Sequence, residues 1–193
     1  MSATGSVRLG EQRPRAGMHD LSVLPPGRVQ PVLRVPEARL AQPCLTVDPC
    51  EPAIQQLGAD LLATQRVSPG CVGLAAPQVG VGVQVFSLDV STHPKAGICH
   101  GTLVLANAQI VQASRWQRGR EGCMSVPDLT GEVKRATRLV VHAQLVGTGE
   151  QVIVETDAFE ARALQHEIDH CQGLVFLDRV AHAHAIFARK TYL

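Results

Sequence analysis

The sequence has few aromatic residues, because one Trp, one Tyr and four Phe make up only 3% of its 193 residues. Few rings are therefore available to stack on bases, and no direct nucleic-acid site is expected. An excess of charge of one sign is also lacking, since 18 Lys and Arg balance 17 Asp and Glu. This balance argues against a dedicated polyanion-binding protein. The core must come from aliphatic side chains, and a hydrophobic fraction of 45% suffices for one.

Long hydrophobic runs are absent as well. No apolar stretch approaches the ~20 residues that cross a bilayer, and the N-terminus lacks the apolar region of a secretory signal. We therefore expect a cytoplasmic protein with no membrane partner. Five Arg among residues 1–35 resemble a weak transit peptide, but the Pro and Gly there favour a loosely packed extension over organellar import. Six Cys without a Cys-x-x-Cys pair do not suggest a disulfide framework.

Hydrophobic periodicity divides the chain into helices and strands. Ile54, Leu57, Leu61 and Leu62 recur at helical spacing and predict a first helix over residues 53–65. Alternating or β-branched segments predict strands at residues 79–86, 103–105, 110–111, 139–145 and 152–154. We interpret residues 1–31 as a flexible N-terminal extension and residues 32–193 as a single domain.

The last predicted helix carries the most informative motif, His166-Glu167-Ile168-Asp169-His170. Residues four apart share a helix face, so both imidazoles can reach one ion while Glu167 can address a water on that ion. This spacing is typical of metal-dependent hydrolases. Asp157 and Glu160 resemble a capping box at the start of the helix, and Gly173 is its expected end.

Two histidines need a further protein ligand to form a catalytic metal site. The extended metzincin pattern fails, because Phe176 occupies the position of its third histidine. Cys123 is the best remaining donor, since it lies in a glycine-bearing segment, residues 121–127, that is suited to presenting a thiolate. Two alternatives stay open at this point: helix histidines satisfied by hydrogen bonds, and a loop cysteine that is an inert small hydrophobe.

Three motifs in the chain resemble those of the peptide deformylase family, in the same order: Gly73-Leu74-Ala75-Ala76-Pro77-Gln78-Val79-Gly80, Glu121-Gly122-Cys123-Met124-Ser125 and Gln165-His166-Glu167-Ile168-Asp169-His170. The similarity runs from about Val32 through Asp178. It implies an α+β fold, with small antiparallel or mixed sheets around a central metal-binding helix, in a single catalytic domain of residues 32–193. It also implies an enzyme that removes the formyl group from the N-terminal formyl-methionine of newly made proteins and releases formate.

The resemblance assigns roles to particular residues. It implies that Cys123, His166 and His170 hold one divalent metal ion, with Fe(II) as the native ion and Zn, Ni or Co able to substitute. Water fills the fourth position, and Glu167 accepts a proton from it and delivers that proton to the departing amine. Negative charge on the former formyl oxygen is met in part by the side-chain amide of Gln78.

Substrate contacts follow from the same resemblance. The backbone N–H of Met124 is a second donor to the formyl oxygen, and the backbone at Gly73 lies beside the extended substrate peptide. The methionine side chain is expected in an apolar pocket, for which the candidate residues are Val72, Leu74 and Ala163. Glu121 either supports the metal loop through a salt bridge or is a solvated surface carboxylate. Its possible partners are Arg118, Arg120 and Arg135.

The chain departs from the family pattern at three places. Cys71 and Met124 replace the Gly and Leu of many members, and neither change threatens activity, because Met124 acts through its backbone. Ala106-Asn107-Ala108 replaces the usual Asn-Pro, so the turn there is not predicted.

Two other functions fit the sequence less well. Another metallo-amidase or peptidase would need a further acidic or His ligand, and Cys123 argues against it. A non-catalytic metal-binding member of the fold would be favoured by loss of Glu167 or Gln78, and both are present. The expected partners are nascent N-formylmethionyl polypeptides. Arg189-Lys190 in the C-terminal tail prompts a further hypothesis of transient ribosome contact.

Overall fold

Seven strands and two α-helices build the part of the chain that this computed structural model describes, residues 7–9 and 19–190. In chain order they are β1 (Val7–Leu9), α1 (Pro52–Val67), β2 (Gly73–Ala75), β3 (Val85–Leu88), β4 (Leu103–Cys123), β5 (Val126–Leu145), β6 (Gln151–Asp157), α2 (Ala158–Cys171) and β7 (Ile186–Ala188). The strands form one sheet in the order β1-β6-β5-β4-β3-β2, with β7 paired to β5. Only β1 and β6 pair in parallel among these described strands. The predicted α+β class is confirmed, with one mixed sheet in place of several small ones.

The β4–β5 hairpin presents the cysteine motif at its tip. Cys123 and Val126 are paired across the two strands, and Met124-Ser125 forms the turn between them. Three register irregularities interrupt the ladder, and such irregularities bend and twist long strands. The sequence did not predict the turn at residues 106–108. In the structure Asn107 has φ 54° there, and its side chain bonds the N–H and the carbonyl of Val47.

Most of the predicted strands lie where expected, because residues 103–105, 110–111, 139–145 and 152–154 fall within β4, β5 and β6. The strand predicted over residues 79–86 is wrong in its first part. Ala76–Val79 is a short 3₁₀ helix, and Gly80 follows it with φ +87°. The Val-Gly alternation there belongs to a turn that only glycine adopts easily. The strand begins at Val85.

Helix α1 confirms the predicted first helix and covers one face of the sheet. Pro52 occupies its first turn, where a missing N–H is harmless. Ile54, Leu57 and Leu61 are buried and pack in a cluster with Val104 of β4. The aliphatic core expected from the composition is thus in place between α1 and the sheet.

Helix α2 begins and ends as predicted, but its start has no capping box. The Asp157 side chain accepts a bond from Ile98 N–H, and the fully buried Glu160 bonds His100 and Thr156. Glu160 therefore bonds the distant His100 and not the backbone of Asp157, as a capping box would require. At the other end, Gly173 has φ +78° and its N–H bonds the carbonyl of His170, which confirms the predicted stop.

Residues 19–31, the described end of the extension predicted over residues 1–31, contact the rest of the protein at several points, although most of their side chains are exposed. His19 is buried and its ring nitrogens bond backbone groups of Val146 and Val104. Gly27 lies so close to α1 that a Cβ would meet the Ala59 carbonyl oxygen at 2.0 Å. Residues 1–6 and 10–18 lie outside the described residues, and the flexibility of the extension stays a prediction. Among the described residues, neither helix is long and apolar enough to cross a membrane.

Candidate metal centre

Three candidate metal ligands meet where the tip of the β4–β5 hairpin packs against α2. Cys123 is the last residue of β4, and His166 and His170 lie one turn apart on α2. Their donor atoms lie within 4.8 Å of one another, and Cys123 Sγ is 3.2 Å from His170 Nε2. Bond lengths of about 2.3 Å to sulfur and 2.0–2.1 Å to nitrogen place tetrahedral donors roughly 3.3–3.7 Å apart. The three side chains can therefore hold one ion.

The surroundings of Cys123 favour its thiolate. Burial raises the pKa of the thiol, but the neighbouring His170 and His166 outweigh burial and hold that pKa well below its ordinary value. Gln78 Nε2 and the backbone N–H of Ser125 both donate to Sγ at 3.4 Å. The thiolate is the form of cysteine that binds metal.

Glu121 fixes the orientation of His166. Its Oε2 lies 3.0 Å from His166 Nδ1, which leaves Nε2 for an ion. Arg135 donates to both carboxylate oxygens at 3.0 Å, and Arg162 Nη1 donates to Oε1 at 2.7 Å. Burial raises the pKa of Glu121, but the bonds from His166 and Arg135 outweigh it and hold the pKa far below its usual range. Glu121 is therefore a buried, ionised support for this candidate ligand.

Three arginines were candidate partners of Glu121. Among the described contacts, Arg135 is the one of them that binds its carboxylate. The predicted salt bridge is thus confirmed for Arg135. Arg162 was missed, although it lies four residues before His166, and that spacing places the two side chains on one helix face. Arg135 and Arg179 also bind Asp169, so ion pairs connect α2 to the hairpin and to the segment after the helix.

Replacing Glu121 with Gln should weaken metal binding or activity by about 10–100-fold, the usual effect of losing a group that orients a ligand. The amide removes the ionised partner of Arg162 and leaves Arg135 with Asp169 alone, and it no longer fixes the proton on His166. Metal affinity, measured by competition with a chromophoric chelator, checks this. Glu132→Gln removes the same charge from an exposed site on β5 and serves as the control. Equal affinities in the two variants would contradict the orienting role.

Glu167 is buried beside Gly73 of β2. A Cβ at Gly73 would lie 2.6 Å from Glu167 Oε1, so a larger residue there would displace the carboxylate. Burial raises the pKa of Glu167 to about 7. Its Oε2 is buried and bonds no group among the described residues. A carboxyl with a pKa near neutrality suits proton transfer.

The side-chain amide of Gln78 is held in place at the centre. Its Oε1 accepts the backbone N–H of Ala75 at 2.9 Å, so Nε2 is the end that faces Cys123 and Ser125 Oγ. Met124 follows Cys123 in the hairpin turn and is half-buried at the edge of the same space. The side-chain amide of Gln78 and the turn residue Met124 thus lie next to the three candidate ligands.

A cavity of about 420 Å³ opens over these groups. Of the residues predicted to contact the peptide or its methionine side chain, those that line the cavity are Val72, Gly73 and Ala163, and the two predicted donors to the formyl oxygen, Gln78 and Met124, line it too. Leu74 does not line it and is fully buried with residues of α1, because side chains on a strand alternate between faces. Phe159 and His93 were missed as cavity residues, and their stacked rings lie 3.5 Å apart. Phe159 lies four residues before Ala163 on the same face of α2, so helical spacing could have predicted it as a cavity residue.

A thiolate and two imidazoles placed around one point, with a buried carboxylate next to an open cavity, define a metal-dependent hydrolase. The sequence model of the polypeptide deformylase family matches residues 29–185. The chain therefore belongs to the peptide deformylase family, and its activity is hydrolytic deformylation of peptides.

Individual relatives agree with this membership. The chain is 39% identical to peptide deformylase 1 of Bacillus cereus over 149 residues, which is 77% of this chain and 90% of the relative. It is 42% identical to peptide deformylase 1 of Vibrio vulnificus, over 65% of this chain and 71% of that one. The crystal structure of peptide deformylase from Ehrlichia chaffeensis has a TM-score of 0.74 and 30% identity, and the alignment covers 82% of this chain and 91% of that one. That enzyme has also been solved in complex with actinonin.

Proposed function

We propose that Cys123, His166 and His170 hold one divalent metal ion and that Glu167 is the general base and acid of deformylation. The convergence of the three donor atoms within 4.8 Å supports the ligand set. Glu167 lies next to His166 in sequence but is not one of the donors, and its carboxylate is directed to Gly73 at the cavity wall. This separation between ligands and base is what hydrolysis requires.

The chain's own residues perform the proton transfers and meet the developing charge. When bound, the ion supplies an activated water and polarises the formyl carbonyl. Glu167 accepts the proton of the attacking water and returns it to the nitrogen of the departing amine. Gln78 Nε2 and the backbone N–H of Met124 donate hydrogen bonds to the oxygen on which negative charge develops. Losing one such donor typically raises the barrier by ~2.7–4 kcal/mol.

The substrate peptide should run beside the backbone of Gly73, as an added edge strand. Its methionine side chain would then enter the apolar part of the cavity. Val72 and Ala163 stay candidates for that pocket, and Phe159 joins them because it lines the same wall. Leu74 stabilises the core under α1 and is not proposed as a contact.

We further propose Fe(II) as the native ion, with Zn, Ni or Co able to replace it. A thiolate with two imidazoles suits both Fe(II) and Zn, so availability and geometry decide which ion is bound. The physiological substrates are proposed to be nascent N-formylmethionyl chains in a bacterial cytoplasm. The catalytic domain is proposed to comprise residues 32–193, preceded by an N-terminal extension over residues 1–31 in which the N–H groups of Arg28 and Gln30 bond side chains of α1.

Ribosome contact through the C-terminal tail is a separate proposal. The backbone N–H of Arg189 bonds the Asp128 carbonyl, so the start of the tail is tied to β5, while Lys190 is exposed. Cosedimentation with ribosomes should therefore fall when residues 189–193 are deleted. An unchanged bound fraction would remove the tail from this proposal.

Formate release from formyl-Met-Ala-Ser tests the function as a whole. Protein purified without oxygen is reconstituted separately with Fe(II), Ni(II) and Zn(II), and formate is measured by a coupled dehydrogenase assay. We expect release with at least one ion, and the rates rank the metals. A protein that binds one ion per chain but releases no formate with any of them would favour another amide substrate or a non-catalytic member of the fold.

A further inference from the structure

The loop between β3 and β4 forms one wall of the catalytic cavity. Residues 89–102 connect these two strands and pass the start of α2. A bond of 2.5 Å from Thr102 Oγ1 to Asp89 Oδ2 closes the base of the loop. Among the described residues of the loop, His93 is the one that lines the cavity. Neither metal binding nor proton transfer gives His93 a role.

Contacts with the first turn of α2 fix the position of this loop. The backbone N–H of His100 donates to Glu160 Oε1 at 2.9 Å, and its ring Nδ1 lies 2.7 Å from Glu160 Oε2. The N–H of Ile98 donates to Asp157 Oδ1 at 3.0 Å. A Cβ at Gly97 would lie 2.4 Å from the same oxygen, so the loop backbone approaches the start of the helix closely. The wall that carries His93 is therefore attached to the helix that carries two candidate ligands.

The His93 ring covers one face of the Phe159 ring. The two rings are nearly parallel, with centroids 3.5 Å apart and an interplanar angle of 4°. The orientation of the imidazole is also fixed by the backbone N–H of Lys95, which donates to its Nδ1 at 3.2 Å. Burial and then the charge of Lys95 lower the pKa of His93, so the ring is uncharged at neutral pH. An uncharged ring can face an apolar side chain without burying a charge.

The stacked pair lies along α2 away from the candidate ligands. Phe159, Ala163 and His166 follow one another on one face of the helix, which rises about 1.5 Å per residue. Phe159 is thus roughly 10 Å along the helix axis from His166. A methionine with its formyl group at the proposed ion would pass Ala163 first and reach the pair with its terminal methyl.

We propose that His93 is a specificity-determining residue that, stacked on Phe159, closes the far end of the methionine pocket and limits the length of the side chain that the pocket accepts. The inference rests on the proposed function, because it needs the formyl group at the metal centre and the methionine side chain beside α2. A thioether makes favourable contacts with aromatic rings, so methionine fits an aromatic end wall. A longer side chain would have to displace the imidazole from Phe159 or leave its own end in water.

Peptides that differ in the length of the first side chain test the proposal on the metal-loaded full chain. The kcat/KM values are compared for formyl-Met-Ala-Ser, for its norleucine analogue, which has nearly the same length, and for its 2-aminooctanoic acid analogue, which is two methylenes longer. In a closed pocket one surplus methylene changes kcat/KM by about 10–200-fold. We therefore expect the wild type to prefer norleucine over 2-aminooctanoic acid by at least about ten-fold.

His93→Ala removes the end wall and should bring this preference close to one, mainly by lowering KM for the longer peptide. His93→Phe keeps a flat ring on Phe159 and should retain the preference. His142→Ala is the matched control, because His142 is exposed on β5 and does not line the cavity. This control should leave both the preference and kcat/KM for formyl-Met-Ala-Ser unchanged.

A merely structural role for His93, in holding the loop, would lower kcat/KM for all three peptides alike and keep their ratio as in the wild type. That result in His93→Ala would overturn the proposal. Equal values for the norleucine and 2-aminooctanoic acid peptides in the wild type, or loss of the preference in His93→Phe, would overturn it as well. A wild type that releases no formate from any of the three peptides would instead contradict the proposed function.

Discussion

Glu167→Gln is expected to lower kcat by about 10²–10⁴-fold while the metal stays bound. Glutamine has nearly the same size, so the contact with Gly73 is kept and the cavity wall should not move. The amide cannot accept the proton of the attacking water, and no other carboxylate lining the described cavity can replace it, because Glu121 is bound by three cationic or imidazole groups. Formate release under saturating peptide measures kcat.

Metal content, measured on the same samples by plasma mass spectrometry, separates this variant from one that loses its ion. We expect one ion per chain in both wild type and Glu167→Gln, since Glu167 is not among the three converging donors. The Glu121→Gln variant should behave differently from Glu167→Gln, because its first defect is weaker metal binding. Retention of more than a tenth of wild-type kcat by Glu167→Gln would exclude Glu167 as the base.

Spacing within one helix made much of this site predictable from sequence. His166 and His170 share a face because the helix repeats every 3.6 residues, and Glu167 is rotated about 100° away from His166. Gly173 could be expected as the helix end because a left-handed residue there favours glycine. These inferences need only local geometry, and all of them agree with the structure.

Features that depend on distant partners were not predictable in the same way. Glu160 was expected to cap its own helix but bonds His100, sixty residues away in the chain. The alternation over residues 79–86 looked like one strand, but Ala76–Val79 is a 3₁₀ helix that ends at the left-handed Gly80, and the strand begins only at Val85. Arg189 looked like part of a tail, because nothing in its local sequence shows that β7 pairs with β5.

Cys123→Ala is expected to abolish stable metal binding and, with it, formate release. Two imidazoles alone leave the ion without its thiolate ligand, and the buried Gln78 amide and Ser125 N–H lose their shared acceptor. For a ligand at 100 times its Kd, binding stabilises the folded state by about 2.7 kcal/mol. In a domain of this size that corresponds to a rise in Tm of roughly 5–11 °C.

The Tm should therefore rise on adding metal to the wild type and stay unchanged in Cys123→Ala. Cys171→Ala is the matched control, because Cys171 is also buried and directly follows the proposed ligand His170, but it packs in the hydrophobic core. This control should have a lower Tm in the absence of metal, yet it should keep the full metal-dependent rise and bind one ion per chain. If Cys171→Ala lost the metal-dependent rise and Cys123→Ala kept it, the third ligand would have to be reassigned, and the hairpin tip would no longer be part of the metal centre.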